Sequence, residues 1–377
     1  MAHSSKKKSD KNSANAADGF AREKKKGFKA KKRRAYIEEE DLLELPKKKD
    51  PYPENNKRVF AQFGEQEQML ADKPRMNFYR EMIRRHIHEG DRVIDLGTGT
   101  GILSAFASWQ KASQIHALDH SDIIEHARAL AAHNGIEGVQ FHDIHSKDFK
   151  LDERVDVILH EQMGDILFDE DMVANVTDLR DRLLKEGGRI LPARFELYCE
   201  PIQIRDSRVV PYIWELNVEG FDFSPLKDKQ AQDAGYYVFP ETDQSLIEHF
   251  LCDPVPLLSF DLHTLRENEL PLEMSLASAV VKAGRMDGYA VYFKAIVDED
   301  LVLSTSPIDS GRAPHWGYRV LRTEQIDLKA GDILDMTIGA EHWYDLDTWH
   351  WGQSAYSADE YRDCMYVGEE DDETPSS

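Results

Sequence analysis

Apolar residues recur at helical spacing over residues 65–88, where Met69, Leu70, Met76, Phe78, Met82 and Ile83 repeat and Pro74 interrupts the run. From Arg92 the texture becomes short strands separated by helices. Residues 92–96 read as a strand entering a glycine turn, and 102–110 as a helix. Residues 114–119 form a second strand, followed by a helix to about His133 with Ser121 or Asp122 as its expected cap. Residues 139–141 and 155–160 are a third and a fourth strand. A helix over 171–185 carries Val173, Val176, Leu179, Leu183 and Leu184 on one side and is closed by Gly187-Gly188; residues 189–192 are a fifth strand. Strands alternating with helices predict βαβ units and a parallel sheet. After Pro192 long helices are scarce, and 195–199, 289–297 and 317–321 read as strands of a second, mainly antiparallel domain. The expected organisation is an arm at 1–50, a parallel α/β domain at 51–192 and a β domain at 193–377.

Charge sharpens the first boundary. The 377-residue chain carries −23, yet residues 1–34 hold thirteen Lys and Arg against Asp10, Asp18 and Glu23, which leaves −33 on the remainder. An acidic body disfavours nucleic acid as its main ligand and suits a cationic partner such as an Arg- or Lys-rich polypeptide. The basic arm, with little to bury, is expected to be disordered, and its Lys runs suit a nuclear address or RNA contact. No segment reaches the ~20 apolar residues of a membrane helix. Cys199, Cys252 and Cys364 are far apart and form no CxxC. That favours a reducing compartment, with a cytoplasmic and also a nuclear location, and no disulfide framework or metal site.

The turn Asp95-Leu96-Gly97-Thr98-Gly99-Thr100-Gly101 lies between strand and helix. Gly97, Gly99 and Gly101 allow close backbone approach to a ligand, while the helix start faces its polar groups. A dinucleotide fingerprint needs glycine at 102, which is Ile102. Asp119 ends the second strand 22 residues after Gly97, where a carboxylate can accept ribose hydroxyls. This spacing resembles the first motif of class I S-adenosylmethionine methyltransferases.

After the fourth strand comes His160-Glu161-Gln162-Met163-Gly164-Asp165-Ile166-Leu167-Phe168-Asp169-Glu170, at the end of the sheet where an open α/β fold binds ligands. Two carboxylates nine residues apart across a turn can clamp a guanidinium. In a chain with 70 acidic residues such a pair also arises by chance. Its context, with Met163-Gly164 between, resembles the double-glutamate loop of the protein arginine N-methyltransferases. Phe63-Gly64, Met69-Leu70-Ala71-Asp72, Arg75 and Tyr79 resemble the family's helix over the cofactor. Residues 214–222 resemble part of its dimerisation arm, and Ser304-Thr305-Ser306-Pro307 with His315-Trp316 its threonine-histidine-tryptophan loop. The resemblance covers about 56–350.

The resemblance implies a Rossmann-like domain, an antiparallel β-barrel and an inserted helical dimerisation arm at about 202–240. It implies S-adenosylmethionine held by Arg75, Asp95, Gly97, Gly99, Gly101, Asp119 and Ser146. Glu161 and Glu170 would be catalytic, and Tyr79, Gln162, Met163, His315 and Trp316 would bind the substrate arginine. Gly-Arg-rich segments, histones or RNA-binding proteins would be substrates and a second copy the partner, with nucleic acid only at the basic arm. Lys147 replaces the acidic residue usual beside Ser146, Gln162 the usual Trp and Pro314 the usual Thr. Arg58 stands where the family has an aspartate, so a His315–aspartate relay is not expected. Asp165, Gln162 and Pro314 flank the expected guanidinium and favour the monomethylating, type III branch. The alternatives are a class I enzyme acting on RNA or a small molecule, and a non-catalytic scaffold using the arm.

Overall fold

In the computed structural model of the protein, residues 58–168, 170–229, 234–266 and 269–362 are described; the basic arm, Asp169 and Cys364 lie outside them. Helix α1 (Phe63–Ala71) and helix α2 (Lys73–His86) meet at Asp72, whose side chain accepts the Arg75 N–H and caps α2. Pro74 sits in the first turn of α2, where its missing N–H breaks no helical bond, so the interruption in the sequence is a helix start.

Strands β1 (Arg92–Leu96), β2 (Gln114–Asp119), β3 (Val139–Asp143), β4 (Val155–His160) and β5 (Leu184–Leu191) form one parallel sheet in the order β3-β2-β1-β4-β5. The order reverses direction between β1 and β4, the switch point at which such sheets open a crevice beyond their carboxyl ends. Helices α3 (Ile102–Trp109), α4 (Ile123–His133) and α5 (Met172–Leu183) connect the strands. The expected helix closure at Gly187-Gly188 is not observed. Helix α5 passes into β5 at Leu184, and both glycines lie inside the strand, where the register against β4 skips from Leu184 to Arg189. Gly187 has φ +70°, which accommodates that irregularity.

The chain then builds antiparallel sheets. Strands β6 (Arg194–Ile204), β13 (Gly284–Asp298) and β15 (Tyr318–Leu328), each overlapping one of the three strand-like pieces, are neighbours in a seven-stranded sheet. Strands β9 (Val238–Glu241), β10 (Ile247–Phe250), β11 (Pro256–Asp261) and β14 (Leu301–Ser304) complete it. A second sheet joins β12 (Glu273–Ala279), β16 (Ile333–Ala340) and β17 (Trp349–Tyr356). Between β6 and β9 the chain makes short 3-10 turns and a hairpin of β7 (Asn217–Val218) and β8 (Phe221–Asp222), so the helices of this arm are of the 3-10 type among the described residues.

One apolar cluster runs from the parallel sheet into the β domain and includes Ile94, Leu159, Phe168, Phe195 and Trp316. Phe168 stacks on Phe260 at 5.7 Å, and Phe260 on Phe195 at 5.5 Å. Each such buried ring contributes roughly 1.5–3 kcal/mol, so the loop after β4 is held to the β domain by packing as well as by chain connectivity.

Candidate active site

Parallel register brings the two sequence constellations together. Leu96 of β1 pairs with His160 of β4 and with Leu118 of β2, so the next residue along each chain segment, Gly97, Glu161 and Asp119, comes at the same end of the sheet, side by side. The glycine turn is braced from below. Asp95 is fully buried and one carboxylate oxygen, Oδ2, accepts the Thr98 hydroxyl at 2.7 Å and the Ser104 hydroxyl at 2.6 Å. Burial raises the Asp95 carboxyl to about 6 despite those bonds. Asp95 therefore shapes the turn.

Two glycines in the turn are required by geometry. Gly99 has φ +54°, and a Cβ there would stand 3.0 Å from Oε1 of Gln66, a residue of α1 lying over the turn. Gly101 has φ +82°, and its Cβ would meet the Phe141 ring at 3.4 Å. Asp119 is fixed from two sides. Oδ2 accepts the Gly99 N–H at 3.0 Å, while Oδ1 accepts the Ser121 N–H and hydroxyl at 2.9 and 2.7 Å. Ser121 is thus committed to Asp119 and does not cap α4, and Asp122 makes no capping bond either. A carboxylate has about four lone-pair positions, so Asp119 retains capacity for further donors. Ser146 is buried at the start of a 3-10 turn after β3, and the His145 and His120 rings lie 5.3 Å apart beside it.

The loop after β4 carries strain. Leu167 and Asp171 have φ +72° and +53°, conformations costing about 1–2 kcal/mol each for residues with a Cβ. Arg75 reaches this loop from α2. Its Nε lies 3.3 Å from Glu161 Oε1, and its Nη1 donates to the Met69 carbonyl at 3.0 Å. Burial works against the Arg75 charge, but Glu161 and its other neighbours outweigh it and leave the pKa raised. The guanidinium sits 5.6 Å from the centre of the Tyr79 ring and 5.8 Å from that of Trp316. Tyr79 is wholly buried, and burial, with Glu161, Glu170 and Asp95 nearby, drives its hydroxyl well above the usual range. Met163 and Trp316 are likewise enclosed, and the Trp316 indole N–H donates to the Met163 carbonyl. Glu161, Gln162, Glu170 and His315 are half-buried.

Some roles differ from expectation. His315 meets an aspartate through its main chain. Its backbone N–H donates to Asp72 Oδ2 at 2.9 Å, while Arg58 is exposed. An Asp-x-Pro pattern could have marked Asp72 as a helix start, but its contact across 243 residues has no sequence signal. Asp165 is turned to the β domain. Its Oδ1 accepts the Gly317 N–H at 2.9 Å and its Oδ2 lies 2.7 Å from Arg319, so it does not wall the guanidinium site as expected. Sequence reasoning also missed buried Arg312, which donates to the Thr242 and Trp316 carbonyls behind the loop, and Gln66 over the turn.

The fit to a bound adenosyl sulfonium is tested by buried polar atoms that lack a protein partner: the Tyr79 hydroxyl, Asp95 Oδ1, His120 Nε2 and Gln162 Oε1. Asp95, His120 and Gln162 lie at or just beyond the ends of β1, β2 and β4, and Tyr79 lies midway along helix α2. With a guanidinium in reach of Glu161 and an acid at Asp119, the donor set fits a ligand bearing a carboxylate, a ribose and a cation.

Parallel sheet, glycine turn and Asp119 define a class I methyltransferase. Residues 87–228 match a family model described as a methyltransferase domain. Protein arginine N-methyltransferase 6 of Danio rerio is 31% identical over 68% of this chain and 75% of its own length. A probable protein arginine N-methyltransferase 6 of Arabidopsis thaliana is 36% identical over 56% of this chain, a match spanning 49% of that relative. Among solved structures, the Trypanosoma brucei enzyme–prozyme complex of arginine methyltransferase 1 with AdoHcy superposes with a TM-score of 0.66 at 24% identity, covering 79% of this chain and 99% of that one. Arabidopsis thaliana protein arginine methyltransferase 10 gives 0.65 at 22% identity, covering 79% and 99%. These two similarities bear on the fold. The chain belongs to the protein arginine N-methyltransferases, enzymes that use S-adenosylmethionine as methyl donor.

Proposed function

We propose that this chain transfers one methyl group from S-adenosylmethionine to an arginine guanidinium in proteins and releases the monomethylated product. The observation that carries this reading is that Glu161, beside the glycine turn, already holds a guanidinium, that of Arg75. The bound donor supplies a methyl on a positively charged sulfur. Arg75 holds the donor's carboxylate, Asp119 its ribose, and Gly97, Gly99 and Gly101 let the backbone approach it. Asp95 braces that turn, and Ser146 lies on the adenine side.

Glu161 and Glu170 grip the substrate guanidinium. A guanidinium is protonated at neutral pH and its lone pairs are delocalised. Two carboxylates draw its positive charge toward the nitrogens they touch and leave the third electron-rich and aimed at the methyl. The N–C bond forms as the S–C bond breaks, and a carboxylate or water takes the proton the nitrogen loses. Tyr79, Gln162, Met163, His315 and Trp316 line the substrate side. Support for a single methyl comes from Gln162 and Pro314, which stand where the family has Trp and Thr; Tyr79, Met163 and Trp316, at most 2% exposed, are fixed walls of the same side.

The acidic body suits Arg-rich substrates such as Gly-Arg-rich segments. The arm exposes Val210, Ile213, Val218 and Phe221, and the parallel-sheet domain exposes Phe63, Trp109 and Leu130; a head-to-tail homodimer covers both sets. In this reading the basic arm is the segment for nucleic acid, and the location is cytoplasmic and nuclear. The test is to incubate the chain with labelled donor and a Gly-Arg-rich peptide, hydrolyse, and identify the labelled amino acid. Monomethylarginine alone is expected; dimethylarginine overturns the single-methyl reading, and no labelled arginine overturns the whole.

A further inference from the structure

Besides the packing of Phe168, three polar contacts among the described residues tie the loop between the two glutamates to the short segment 316–319 of the β domain. The Trp316 indole N–H donates to the Met163 carbonyl. The Gly317 N–H donates to Asp165 Oδ1 at 2.9 Å, and Arg319 Nη1 lies 2.7 Å from Asp165 Oδ2. That last contact brings charges together without the alignment of a hydrogen bond, since Nη1 has no hydrogen-bond partner. Arg319 is the second residue of β15 and pairs with Pro240 of β9 and Val291 of β13, so its backbone is fixed between two strands of the seven-stranded sheet. A side chain at Gly317 would crowd the Glu241 carbonyl, while Asp165 and Arg319 lie at ordinary contact distance from it. A Cβ there would stand 3.1 Å from the Glu241 carbonyl, 3.6 Å from Asp165 Oδ2 and 3.7 Å from Arg319 Nη1.

We infer that Asp165 and Arg319 are positioning residues for arginine methylation, and that their pairing sets the separation and aim of Glu161 and Glu170. The inference rests on the function proposed above. Asp165 lies four residues after Glu161 and five before Glu170, near the middle of the span that joins them. On one side of it the chain is held by β4; on the other it passes through Leu167 at φ +72° and Asp171 at φ +53° before α5 begins. A loop with two strained residues needs outside contacts to over-determine it. Met163, Ile166, Leu167 and Phe168 supply the apolar anchors and Asp165 the charged one, so release of Asp165 loosens the aim of the turn while its apolar side chains stay packed. Side chains on a freed turn lose alignment before the fold loses stability. A misplacement of about 1 Å at a reacting group can cost on the order of a hundredfold in rate.

The test compares the full chain with Asp165→Ala, Asp165→Asn, Asp165→Glu, Arg319→Met and the double variant Asp165→Ala/Arg319→Met. It reads kcat and KM on a Gly-Arg-rich peptide, donor affinity by calorimetry, and amide hydrogen exchange across 161–170. Asp165→Ala and Arg319→Met are expected to lower kcat by roughly ten- to a hundredfold with donor affinity within about twofold, and to speed exchange in the loop. The double variant should be no worse than the poorer single one, because both remove one interaction. Asp165→Asn, which keeps the Gly317 bond and loses the charge, should fall between wild type and Ala, and Asp165→Glu should keep most of the rate. If Asp165→Ala does not fold, Asp165→Asn and Arg319→Met carry the test. Rates and loop exchange within about twofold of wild type in both single variants, or single losses that multiply in the double variant, overturn the inference. A wild-type chain that labels no arginine overturns the underlying function instead, and loop exchange then still decides whether the tether exists.

Discussion

The Arg75 guanidinium, on helix α2, approaches the Glu161 carboxylate through Nε at 3.3 Å, in a site where both side chains are at most 11% exposed. Arg75 is built into this position by the Asp72 cap on its backbone N–H and by the Met69 carbonyl, which accepts from its guanidinium. A donor carboxylate arriving at Arg75 would draw it away from Glu161 and free that carboxylate for substrate. On the proposed function, donor binding and preparation of the acceptor site would be linked through this one ion pair.

Replacement of Arg75 by Ala should therefore weaken donor binding by about tenfold or more, because a buried charged hydrogen bond is lost and Glu161 is left without its cation. Calorimetric titration with S-adenosylhomocysteine measures it. An affinity equal to wild type would show that Arg75 does not contact the donor.

The glycine turn makes a second expectation. Gly101→Ala places a Cβ at φ +82° against the Phe141 ring, and Asp119→Ala removes the acceptor of the Gly99 N–H. Both should reduce donor affinity by about tenfold or more, and the first should cost about 1–2 kcal/mol of stability as well. Thermal melting with and without donor separates the two effects, since Asp119→Ala should lose donor-induced stabilisation to a greater degree than it loses intrinsic stability.

Stability should respond to pH through the β domain. Glu200 is buried on β6 with one oxygen accepting the Val255 N–H at 2.9 Å, and burial raises its carboxyl to about 7, with Asp253 adding to the rise. A carboxyl with a higher pKa folded than unfolded binds its proton more tightly in the native state. Its contribution is complete below about pH 4.5 and is lost as pH rises to about 7. Glu200→Gln keeps an acceptor for Val255 and has no charge to desolvate. It should be more stable than wild type by roughly 2 kcal/mol at pH 8, with the gap closing toward pH 4.5. Denaturant melts at both pH values check this, and a gap independent of pH would contradict it.

The proposed assembly depends on Phe221, exposed at the tip of the β7–β8 hairpin. Phe221→Asp should convert a dimer to a monomer in light scattering at micromolar concentration. A wild-type chain that is monomeric there, or a dimer that survives the substitution, contradicts a contact through the arm.

Much of this architecture was legible along the chain. Strands β2 and β4 start and stop where the apolar runs do, and the turn from Gly97 to Gly101 and the acid at Asp119 could be found by spacing. Local pattern reaches that far because each strand is buried on both faces and each glycine answers a nearby constraint. It failed where the constraint was distant. Gly187-Gly188 look like a helix stop, yet they serve a strand irregularity set by pairing with β4. Asp165 looks like one more acid near a guanidinium, and only the fold shows Gly317 and Arg319 engaging it. Asp72 looks like a local helix cap, and only the fold shows it also accepting the His315 backbone N–H.

The central claim is that Glu161 clamps the guanidinium that receives the methyl. Its most direct test is the labelled product formed by wild type and by Glu161→Gln, measured beside donor affinity for both. The account predicts monomethylarginine from wild type, a loss of about a hundredfold or more in the variant, and donor affinity in the variant within about tenfold of wild type. Undiminished turnover by Glu161→Gln would contradict it.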